Sequence, residues 1–489
     1  FIPAYFFSMS RFVAADEGFY LLAAKLIQDG LVPYRDFLYP QSPYFPYILN
    51  RFFSLFGTSW EAARIFGVIS FACLTLLLFI RARSIASRMT AYGIVVLFIT
   101  SEAALGWFLV AKPYGFVALL LFATYLLLVG HPRSRAAALV SGLLLGTAIG
   151  VRSYVVVAYP FFLLPLLLTT QSRAENESES GFSKTTLLLA LLAGTTLALL
   201  PMGAISLLYP EEFWFNNLGF HLLRSALSQE QAFEQRVEVF QAIFGISSHP
   251  QVSGYQYPII LGGALLSLIL CLLKRASFDA ALPIGGALFA ISILPSPTWF
   301  QYFSITVPFF LVCTAQTLTY VSKRRVVLGT VISLACLLVS LWPLPEIVER
   351  YTETGKGVPT VYTETLASSK IESVHEVSTF INDAVTPGTV IFSRWPGFLF
   401  ETHAEPFPTT ENQFWPRVAD LLSREERELY HIPSKTALPK EILEQQVPLI
   451  VIRDRYKTRV FRDESLKKHG YALVRDIDGV KIYSRINSE

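Results

Sequence analysis

Two adjacent carboxylates, Asp16 and Glu17, have the chemistry to take a proton from a hydroxyl or to hold a cation. Like charges this close disfavour each other's ionised form. Their plain structural role is at a helix N-terminus, with Asp16 as the N-cap of a helix that runs through Asp29, ends at Gly30 and lies along a membrane surface. The two roles are compatible, because a carboxylate at the start of a helix can also act as a base.

The chain around this acidic pair is depleted in charge. Of its 489 residues, 53% are hydrophobic and only 16% are charged, whereas about a quarter are charged in soluble globular proteins. Nineteen of the 40 Lys and Arg residues fall in residues 346–489. The net charge of +3 gives no reason to expect a nucleic-acid partner. The four cysteines lie singly in apolar runs, which is typical neither of a disulfide framework nor of a metal site.

Long apolar runs before residue 346 must position the acidic pair. A spanning helix needs about 20 largely apolar residues, and the candidate segments are 65–80, 91–110, 113–130, 136–151, 153–170, 185–208, 257–273, 280–294, 300–321 and 326–344. Residues 1–7 are typical of the end of a further crossing, with a cleaved signal sequence as the alternative. The sequence therefore predicts an all-α polytopic membrane protein with about 10–11 transmembrane helices.

The connections between these segments alternate in charge. One set is rich in cations: Arg81, Arg83, Arg88, Arg133, Arg135, Arg173, Lys184, Lys274, Arg275, Lys323, Arg324 and Arg325. The other set is poorer in Lys and Arg: residues 16–59, 111–112, 152, 209–256 and 295–299. The positive-inside rule places the first set in the cytoplasm. It places Asp16 and Glu17 on the extracytoplasmic side of a plasma or inner membrane.

Residues 346–489 differ in composition from the apolar region, residues 1–345. Their pattern predicts strands at 389–392 and 449–452, helices near 373–384 and 418–430, and a hairpin of 471–477 and 480–484 that turns at Asp478-Gly479. We expect a soluble extracytoplasmic α/β domain on the same side of the membrane as Asp16, following a transmembrane catalytic domain.

The residues after the acidic pair form an ordered series. Asp16-Glu17-x-x-Tyr20 is followed by Gly30-x-x-Pro33-Tyr34-Arg35-Asp36-Phe37, Phe56-Gly57-Thr58-Ser59 and Ala63-Arg64. This series resembles the first extracytoplasmic loop of the GT-C membrane glycosyltransferases, in the branch of the protein O-mannosyltransferases and aminoarabinose transferases. Weaker likenesses to that branch are Gly142-x-x-x-Gly146-x-x-x-Gly150-x-Arg152 and Gln301-Tyr302-Phe303.

Two departures narrow the resemblance. The Lys-Pro-Pro of aminoarabinose transferases is replaced by Tyr39-Pro40-Gln41-Ser42-Pro43, which argues against transfer of aminoarabinose to lipid A. The Trp-Trp-Asp-Tyr-Gly signature of oligosaccharyltransferases is missing, and Trp395-Pro396-Gly397 does not match it. Transfer of a single sugar is therefore favoured over transfer of a whole oligosaccharide.

The resemblance implies an inverting glycosyltransferase that moves a sugar from a polyprenyl-phosphate donor to a hydroxyl of a protein, lipid or glycan acceptor. It implies that Asp16 is the base, a role in which a positioned carboxylate contributes roughly 10²–10⁴-fold. Glu17 would orient the acceptor, raise the pKa of Asp16, or share a divalent cation with it. Whether a metal is used stays open.

Other charged residues are candidates for the same site. Arg152 and Lys112 would stabilise the departing phosphate, with snorkelling to lipid headgroups as the alternative. Glu102 would be a second acidic group, since intramembrane carboxylates usually have a partner and a task, unless its span ends early and leaves it in water. The remaining candidates are Arg35, Asp36, His221 and Arg224.

A transporter or flippase of lipid-linked substrates is the main alternative function. Such proteins tend to carry broken helices and charges at the bilayer midplane, whereas here the charges cluster at one face. A non-catalytic scaffold would not require Asp16, Glu17 and Arg152 to converge. Because the base and the leaving-group cation must straddle one bond, we expect Asp16 and Arg152 to lie within about 15 Å of each other.

Overall fold

The computed structural model describes residues 1–168, 182–225, 229–244, 246, 255–358, 361–453 and 461–486. Arg173 and parts of the predicted loop 209–256, namely residues 226–228, 245 and 247–254, lie outside the described residues. The first eleven helices are α1 (Ile2–Ser10), α2 (Ala15–Gln28), α3 (Tyr44–Phe56), α4 (Trp60–Ile85), α5 (Arg88–Thr100), α6 (Glu102–Phe108), α7 (Pro113–Gly130), α8 (Arg135–Val151), α9 (Tyr159–Phe162), α10 (Leu164–Leu168) and α11 (Lys184–Leu208).

The helical region continues to residue 354. Its helices are α12 (Pro210–Trp214), α13 (Phe220–Ser225), α14 (Gln229–Ile243), α15 (Gln256–Leu272), α16 (Ala281–Ile293), α17 (Val307–Arg324), α18 (Val326–Leu341) and α19 (Leu344–Glu349). Short 3-10 or π-helical turns join several of them, and the turn Phe300–Thr306 leads directly into α17.

Five helical stretches in the described part of the chain are long and apolar enough to cross a membrane. They are Trp60–Ile85, Pro113–Gly130, Lys184–Leu208, Phe300–Arg324 and Val326–Thr354. The pair α5 and α6 counts as a sixth if it is one broken span, and four shorter apolar helices coincide with the other predicted segments: Arg135–Val151, Ser153–Leu168, Gln256–Leu272 and Ala281–Ile293. The prediction of a polytopic helical membrane protein is confirmed.

The predicted segment 91–110 is not one straight helix. The chain bends by 54° between α5 and α6. Ser101 adopts an extended conformation at the bend, and its Oγ accepts a hydrogen bond from the N–H of Ala104. A serine at this position caps a new helix, so Glu102 begins α6 instead of lying within a continuous span.

Close packing of α8 against α11 and α3 fixes the end of α8. A Cβ atom on Gly142 would lie 2.1 Å from the Leu191 carbonyl of α11, so only glycine allows this approach. A Cβ on Gly150 would lie 2.2 Å from the Tyr44 ring of α3. The glycine series of α8 therefore sets the position of Arg152, which directly follows the helix.

The C-terminal region contains a five-stranded sheet in the order β2-β1-β3-β5-β4. Its strands are β1 (Val390–Ser393), β2 (Glu405–Pro406), β3 (Leu449–Arg453), β4 (Tyr471–Ile477) and β5 (Val480–Arg485), and its helices are α20 (Ile371–Ala384), α21 (Arg424–Leu429), α22 (Leu438–Glu444) and α23 (Asp463–Lys468). β1 pairs in parallel with β2 and β3, whereas β5 is antiparallel to β3 and β4. The predicted α/β character is confirmed.

Local signals explain where these elements were predicted well and where they were not. Asp478 and Gly479 have φ angles of 51° and 81°, which a tight two-residue hairpin turn requires. The helix predicted near 418–430 is shorter, because Ser423 caps α21: its Oγ accepts from the N–H of Glu426. The residues before it form two 3-10 turns, Trp415–Arg417 and Ala419–Leu421.

The C-terminal domain packs directly on α2. Lys25 donates to the carbonyls of Leu399, Thr402 and Ala404 at 3.2, 2.5 and 3.1 Å. The first half of α2 is almost wholly buried, with α3 on one side and the turn Pro396–Leu399 of the C-terminal domain on another. The apolar residues of α2 therefore serve two interfaces within the protein, and its course along a membrane surface stays a prediction.

Candidate active site

Asp16 is the second residue of α2, and the prediction that it is the N-cap is wrong. The N-cap is Ala14, whose N–H donates to Glu17 Oε1 at 2.9 Å. Glu17, the third residue after the N-cap, therefore caps the start of the helix by accepting from the N-cap N–H, as the glutamate of a capping box does. Both carboxylates remain at the positive end of the helix dipole, which favours their ionised forms.

Lys112 holds the Asp16 carboxylate. Its Nζ lies 3.0 Å from Asp16 Oδ2 and also donates to Gln301 Oε1 at 3.2 Å. The Lys112 side chain is 1% exposed, whereas that of Asp16 is 27% exposed. Burial raises the pKa of Asp16, but the charge and hydrogen bond of Lys112, together with the charges of Arg417 and Arg152, lower it below its usual value. Asp16 is therefore an ionised carboxylate with an open side at neutral pH.

Arg152 reaches the face of α2 that carries Asp16. Its guanidinium donates to Gln41 Oε1, to the Tyr20 hydroxyl at 2.6 Å and to the Tyr114 hydroxyl at 3.4 Å. Tyr20 follows Asp16 by four residues, so the two side chains are neighbours on one helix face, about 5–6 Å apart at Cβ. The structure thus brings Asp16, Lys112 and Arg152 to one place.

His221 and Arg224 of α13 lie beside Arg152. Arg224 hydrogen-bonds the Tyr302 side chain, on which the charges of Arg152 and Asp16 also act. Burial and the charges of Arg224 and Arg152 lower the pKa of His221 to about 3, although its ring bonds the Pro40 carbonyl. His221 is therefore a neutral imidazole at physiological pH, and Arg224 is the cation of this pair.

Glu17 is engaged in a buried ion pair with Arg64. Its Oε2 lies 2.7 Å from Arg64 Nε, and its Oε1 accepts from Arg64 Nη2 at 3.0 Å. The N–H of Ala111 donates to Oε2 at 2.9 Å. Both charged side chains are fully buried. This ion pair ties α2 to α4 and to the segment that carries Lys112, which makes Glu17 a positioning residue.

The other sequence candidates lie outside this group of contacts. Glu102 is buried, and its Oε1 accepts from Arg350 at 2.8 Å and from Tyr351 at 3.4 Å, so the hypothesis of a solvated Glu102 is wrong. Arg35 and Asp36 pair with each other at 2.6 Å in a more exposed part of the first loop. No group of three or more His, Cys, Asp or Glu residues in the described ranges could hold a metal ion.

The C-terminal domain supplies a residue that sequence reasoning missed. The side chains of Trp395 and Gln413 donate to the carbonyl of Ala15 at 2.9 and 3.0 Å. Arg417 ends the 3-10 turn Trp415–Arg417, which begins shortly after Gln413, and its charge lowers the pKa of Asp16. No sequence signal distinguishes Arg417 from the other arginines of the domain, because its placement depends on how the domain packs on α2.

Two cavities in the described part of the chain lie elsewhere. A cleft of about 500 Å³ between α5, α17 and α18 is lined mainly by apolar and hydroxyl side chains and also by Lys323. A second of about 230 Å³ lies beside Arg81 and Asp279, which form an ion pair with each other. Neither cavity is lined by Asp16, Lys112 or Arg152.

The chain is similar to known membrane glycosyltransferases. Residues 40–198 match the family model of dolichyl-phosphate-mannose-protein mannosyltransferases, a range that contains Lys112 and Arg152 and begins after Asp16. No curated protein sequence matches the chain. The structure of ArnT from Cupriavidus metallidurans bound to undecaprenyl phosphate superposes with a TM-score of 0.64 and 12% identity, over 100% of this chain and 97% of that one. The chain has the GT-C fold.

The structure of the same enzyme without the lipid superposes on this chain to a similar extent. ArnT from Cupriavidus metallidurans in the apo state gives a TM-score of 0.62 at 13% identity, over 100% of this chain and 96% of that one. Arabinofuranosyltransferase AftD from Mycobacteria matches at 14% identity over 91% of this chain and 35% of that one, but its TM-score of 0.41 is too low to bear on the fold. The resemblance to a GT-C polytopic membrane glycosyltransferase of the ArnT and protein mannosyltransferase type is confirmed.

Proposed function

We propose that this GT-C protein is an inverting glycosyltransferase that moves one sugar from a polyprenyl-phosphate donor to an acceptor hydroxyl, with Asp16 as the base. One observation carries the proposal: a partly open, ionised Asp16 is held at 3.0 Å by Lys112. The Arg152 guanidinium binds Tyr20, one helical turn away on the same face. A base and a phosphate-binding cation in one place can act on the attacking oxygen and on the leaving oxygen at either side of one anomeric carbon.

The proposed step is a single displacement at the anomeric carbon. The acceptor oxygen forms a bond to that carbon while the bond from the carbon to the phosphate oxygen breaks, and its electron pair leaves with the phosphate. The acceptor proton passes to Asp16. The products are an inverted glycoside and a polyprenyl phosphate whose charge has become more negative by one.

Lys112 shapes this chemistry in two ways. It lowers the pKa of Asp16, so the carboxylate is ionised and ready to accept a hydrogen bond from the acceptor hydroxyl. A low pKa also makes a weaker base. The proton therefore moves late, when the attacking oxygen has already become acidic through bonding to a sugar carbon with oxocarbenium character.

Cations beyond Lys112 are available for the leaving group. The charge of a departing phosphate grows in the transition state, and preorganised donors aimed at that charge lower the barrier. Arg152 is buried and held by Gln41 and two tyrosine hydroxyls, so little reorganisation is needed before the reaction. Gln41 lies in the loop where the sequence departs from the aminoarabinose transferases, and its side-chain oxygen accepts a hydrogen bond from Arg152. The contact with Arg152 gives Gln41 a structural role at this position.

Two observations support the donor class and the side of the membrane. The fold extends over the whole of an enzyme whose structure holds undecaprenyl phosphate, and we carry that lipid to this chain as part of the proposal. The alternation of Lys and Arg among the connecting segments favours the extracytoplasmic side. In this proposal residues 1–345 form the catalytic domain, and residues 346–489 cover it from outside the membrane.

The test is direct turnover by the purified protein. A panel of undecaprenyl-phosphate sugars is incubated with the protein and crude cell-envelope acceptors, and the release of undecaprenyl phosphate is measured. We expect one sugar to be consumed, with a product whose anomeric configuration by NMR is opposite to that of the donor. Movement of intact donor across vesicle membranes without cleavage would instead support a flippase.

A further inference from the structure

The cleft between α5, α17 and α18 begins at the opposite end of a membrane span from Asp16. Gln301, which binds Lys112 beside Asp16, lies at the start of the candidate span Phe300–Arg324, and Lys323, near the end of that span, lines the cleft. Helices rise about 1.5 Å per residue, so the distance along the span is roughly 30 Å, the thickness of the hydrocarbon core. The alternation of Lys and Arg predicts that this end faces the cytoplasm.

The lining of the cleft is as long as one leaflet of a bilayer is thick. On α5 it runs from Ser87 to Leu97, and on α18 it runs from Val326 to Leu337. Each run covers about 15 Å along its helix, which is about half of the hydrocarbon core. The volume of about 500 Å³ lies within the range of about 300–1,000 Å³ that is typical of ligand sites. A cleft of this length and volume can hold an acyl chain.

The hydroxyl groups in the wall of the cleft make few polar demands. Four of them donate to the carbonyl four positions earlier in their own helix, at 2.9, 2.8, 3.0 and 2.8 Å: Thr314, Thr319, Thr330 and Ser333. A hydroxyl that is bonded in this way needs no other acceptor. Ile94, Leu318 and Leu334 lie among them in the wall. The wall therefore suits a hydrocarbon chain better than a polar ligand.

Cations gather at the helix ends where this lining begins. Arg88 lies between two lining residues at the start of α5, and Lys323 lines the cleft from the end of α17. Arg324 and Arg325 follow directly, and all four cations are exposed. The helices α5, α17 and α18 contain no Asp or Glu. Basic groups beside a cleft between transmembrane helices are suited to an anionic lipid headgroup.

We propose that this cleft binds one anionic phospholipid of the cytoplasmic leaflet, with an acyl chain between α5 and α18 and the phosphate at Arg88 and Lys323. The apolar wall matches the chain, and the cations at its polar end match the headgroup. The site is separate from Asp16. The lipid acts on α18: only Gly329 and Ser340 of this helix are buried, so the bound chain supplies packing that the protein itself does not.

The test compares two lipids that differ only in the headgroup. Native mass spectrometry of the full-length, detergent-purified protein measures the affinity for dioleoyl phosphatidylglycerol, which is anionic, and for dioleoyl phosphatidylcholine, which is zwitterionic. We expect the wild type to bind one phosphatidylglycerol roughly tenfold more tightly than phosphatidylcholine. Its unfolding temperature should also rise more with phosphatidylglycerol.

Charge variants test the headgroup site. Arg88→Gln/Lys323→Gln removes two cations of the cleft, and Lys274→Gln/Arg275→Gln is the matched control. Lys274 and Arg275 are exposed, follow α15 and do not line the cleft. We expect the first pair to lose the preference for phosphatidylglycerol and the control pair to keep it. Arg88→Lys/Lys323→Arg retains both charges and should keep the preference as well.

Variants that fill the cleft test the place of the acyl chain. Ser333→Phe and Thr330→Phe each put a ring into the wall. In whichever of the two unfolds like the wild type without added lipid, we expect the affinity for both lipids to fall by a similar factor, because the chains are identical.

Three results would overturn the inference. A wild type without a preference for phosphatidylglycerol has no anionic headgroup site, and an equal loss in the two Gln pairs would assign the preference to general surface charge. Unchanged lipid affinity in the well-folded Phe variants would place the chain outside the cleft. Tighter binding of undecaprenyl phosphate, lost on filling the cleft, would make a polyprenyl lipid the occupant. None of these results bears on Asp16, so the proposed function is tested separately.

Discussion

The ammonium of Lys112 lies 3.0 Å from the carboxylate of Asp16, although 96 positions separate the two residues. This contact fixes the direction of the Asp16 side chain and keeps it ionised. Lys112 is itself held by Gln301 and by the Trp107 ring, whose centroid is 5.2 Å from Nζ. The base is therefore positioned by the segment that joins α6 to α7 as much as by its own helix.

Removal of the Lys112 charge should change the pH dependence of transfer. The folded-state pKa of Asp16 is depressed by Lys112, so the wild type loses activity only as the pH falls below the usual carboxylate range, about 3.9. In Lys112→Gln, burial raises the pKa of Asp16 with less opposition. We expect the acid limb of the kcat/KM profile to move to higher pH.

Lys112→Arg is the matched control, because it keeps the positive charge. Its acid limb should stay near that of the wild type even if kcat falls through altered geometry. An unmoved acid limb in Lys112→Gln, with activity otherwise retained, would show that the Asp16 proton does not govern the reaction.

Loss of the Glu17 charge should act on stability more than on chemistry. Glu17→Gln leaves the Arg64 guanidinium buried without its counter-charge, and breaking a buried pair on one side costs about 3–5 kcal/mol. We expect a clear fall in the thermal unfolding temperature of the detergent-purified protein. The molecules that remain folded should keep an acid limb like that of the wild type.

The double variant Glu17→Gln/Arg64→Met separates the two roles of Glu17. It removes the uncompensated charge together with its partner, so part of the lost stability should return. If Glu17→Gln unfolds like the wild type but transfers no sugar, Glu17 is part of the chemistry after all.

Gly18 allows the C-terminal domain to touch α2 beside Asp16. A Cβ atom there would lie 2.7 Å from the backbone nitrogen of Gly397 and 2.9 Å from the Trp395 ring. Backbone cannot move aside like a flexible side chain, and such overpacking costs about 1–3 kcal/mol. We expect Gly18→Ala to lower both the unfolding temperature and kcat, with faster proteolysis of the C-terminal domain.

Gly93→Ala serves as the control for this substitution. Gly93 also lies in a helix, but a Cβ atom there would meet nothing within 4 Å. Because alanine favours helix over glycine, this variant should be at least as stable as the wild type and equally active. Equal proteolysis of Gly18→Ala and wild type would contradict the close contact between the domain and α2.

The membrane architecture could be predicted from the sequence, because apolar length alone dictates a crossing. Within the described residues, each of the ten predicted segments coincides with one helix or with a short series of helical stretches. The bend before Glu102 was missed, since it depends on a serine cap and on an ion pair with Arg350, 248 positions away. The hairpin at Asp478-Gly479 was found because its turn chemistry is local.

The sequence identified the individual charged residues of the site, but it did not show which of them contact each other. Asp16, Lys112 and Arg152 stand out as charges beside apolar segments, and the structure brings them together. Glu17 is a second carboxylate directly after Asp16 in the sequence, yet it has different partners, because Arg64 and the Ala111 backbone bind it. Side-chain direction within a helix turn depends on such distant partners, and no local pattern records them.

The central claim is that Asp16 accepts the proton of the acceptor hydroxyl, and one comparison tests it most directly. Release of undecaprenyl phosphate from the consumed donor is measured for the wild type, Asp16→Asn and the control Asp29→Asn at the far end of α2. The account predicts that Asp16→Asn, with unchanged folding and undecaprenyl-phosphate binding, loses at least about 10²-fold in turnover while Asp29→Asn stays near the wild type. Near-normal turnover by a well-folded Asp16→Asn protein would contradict the account.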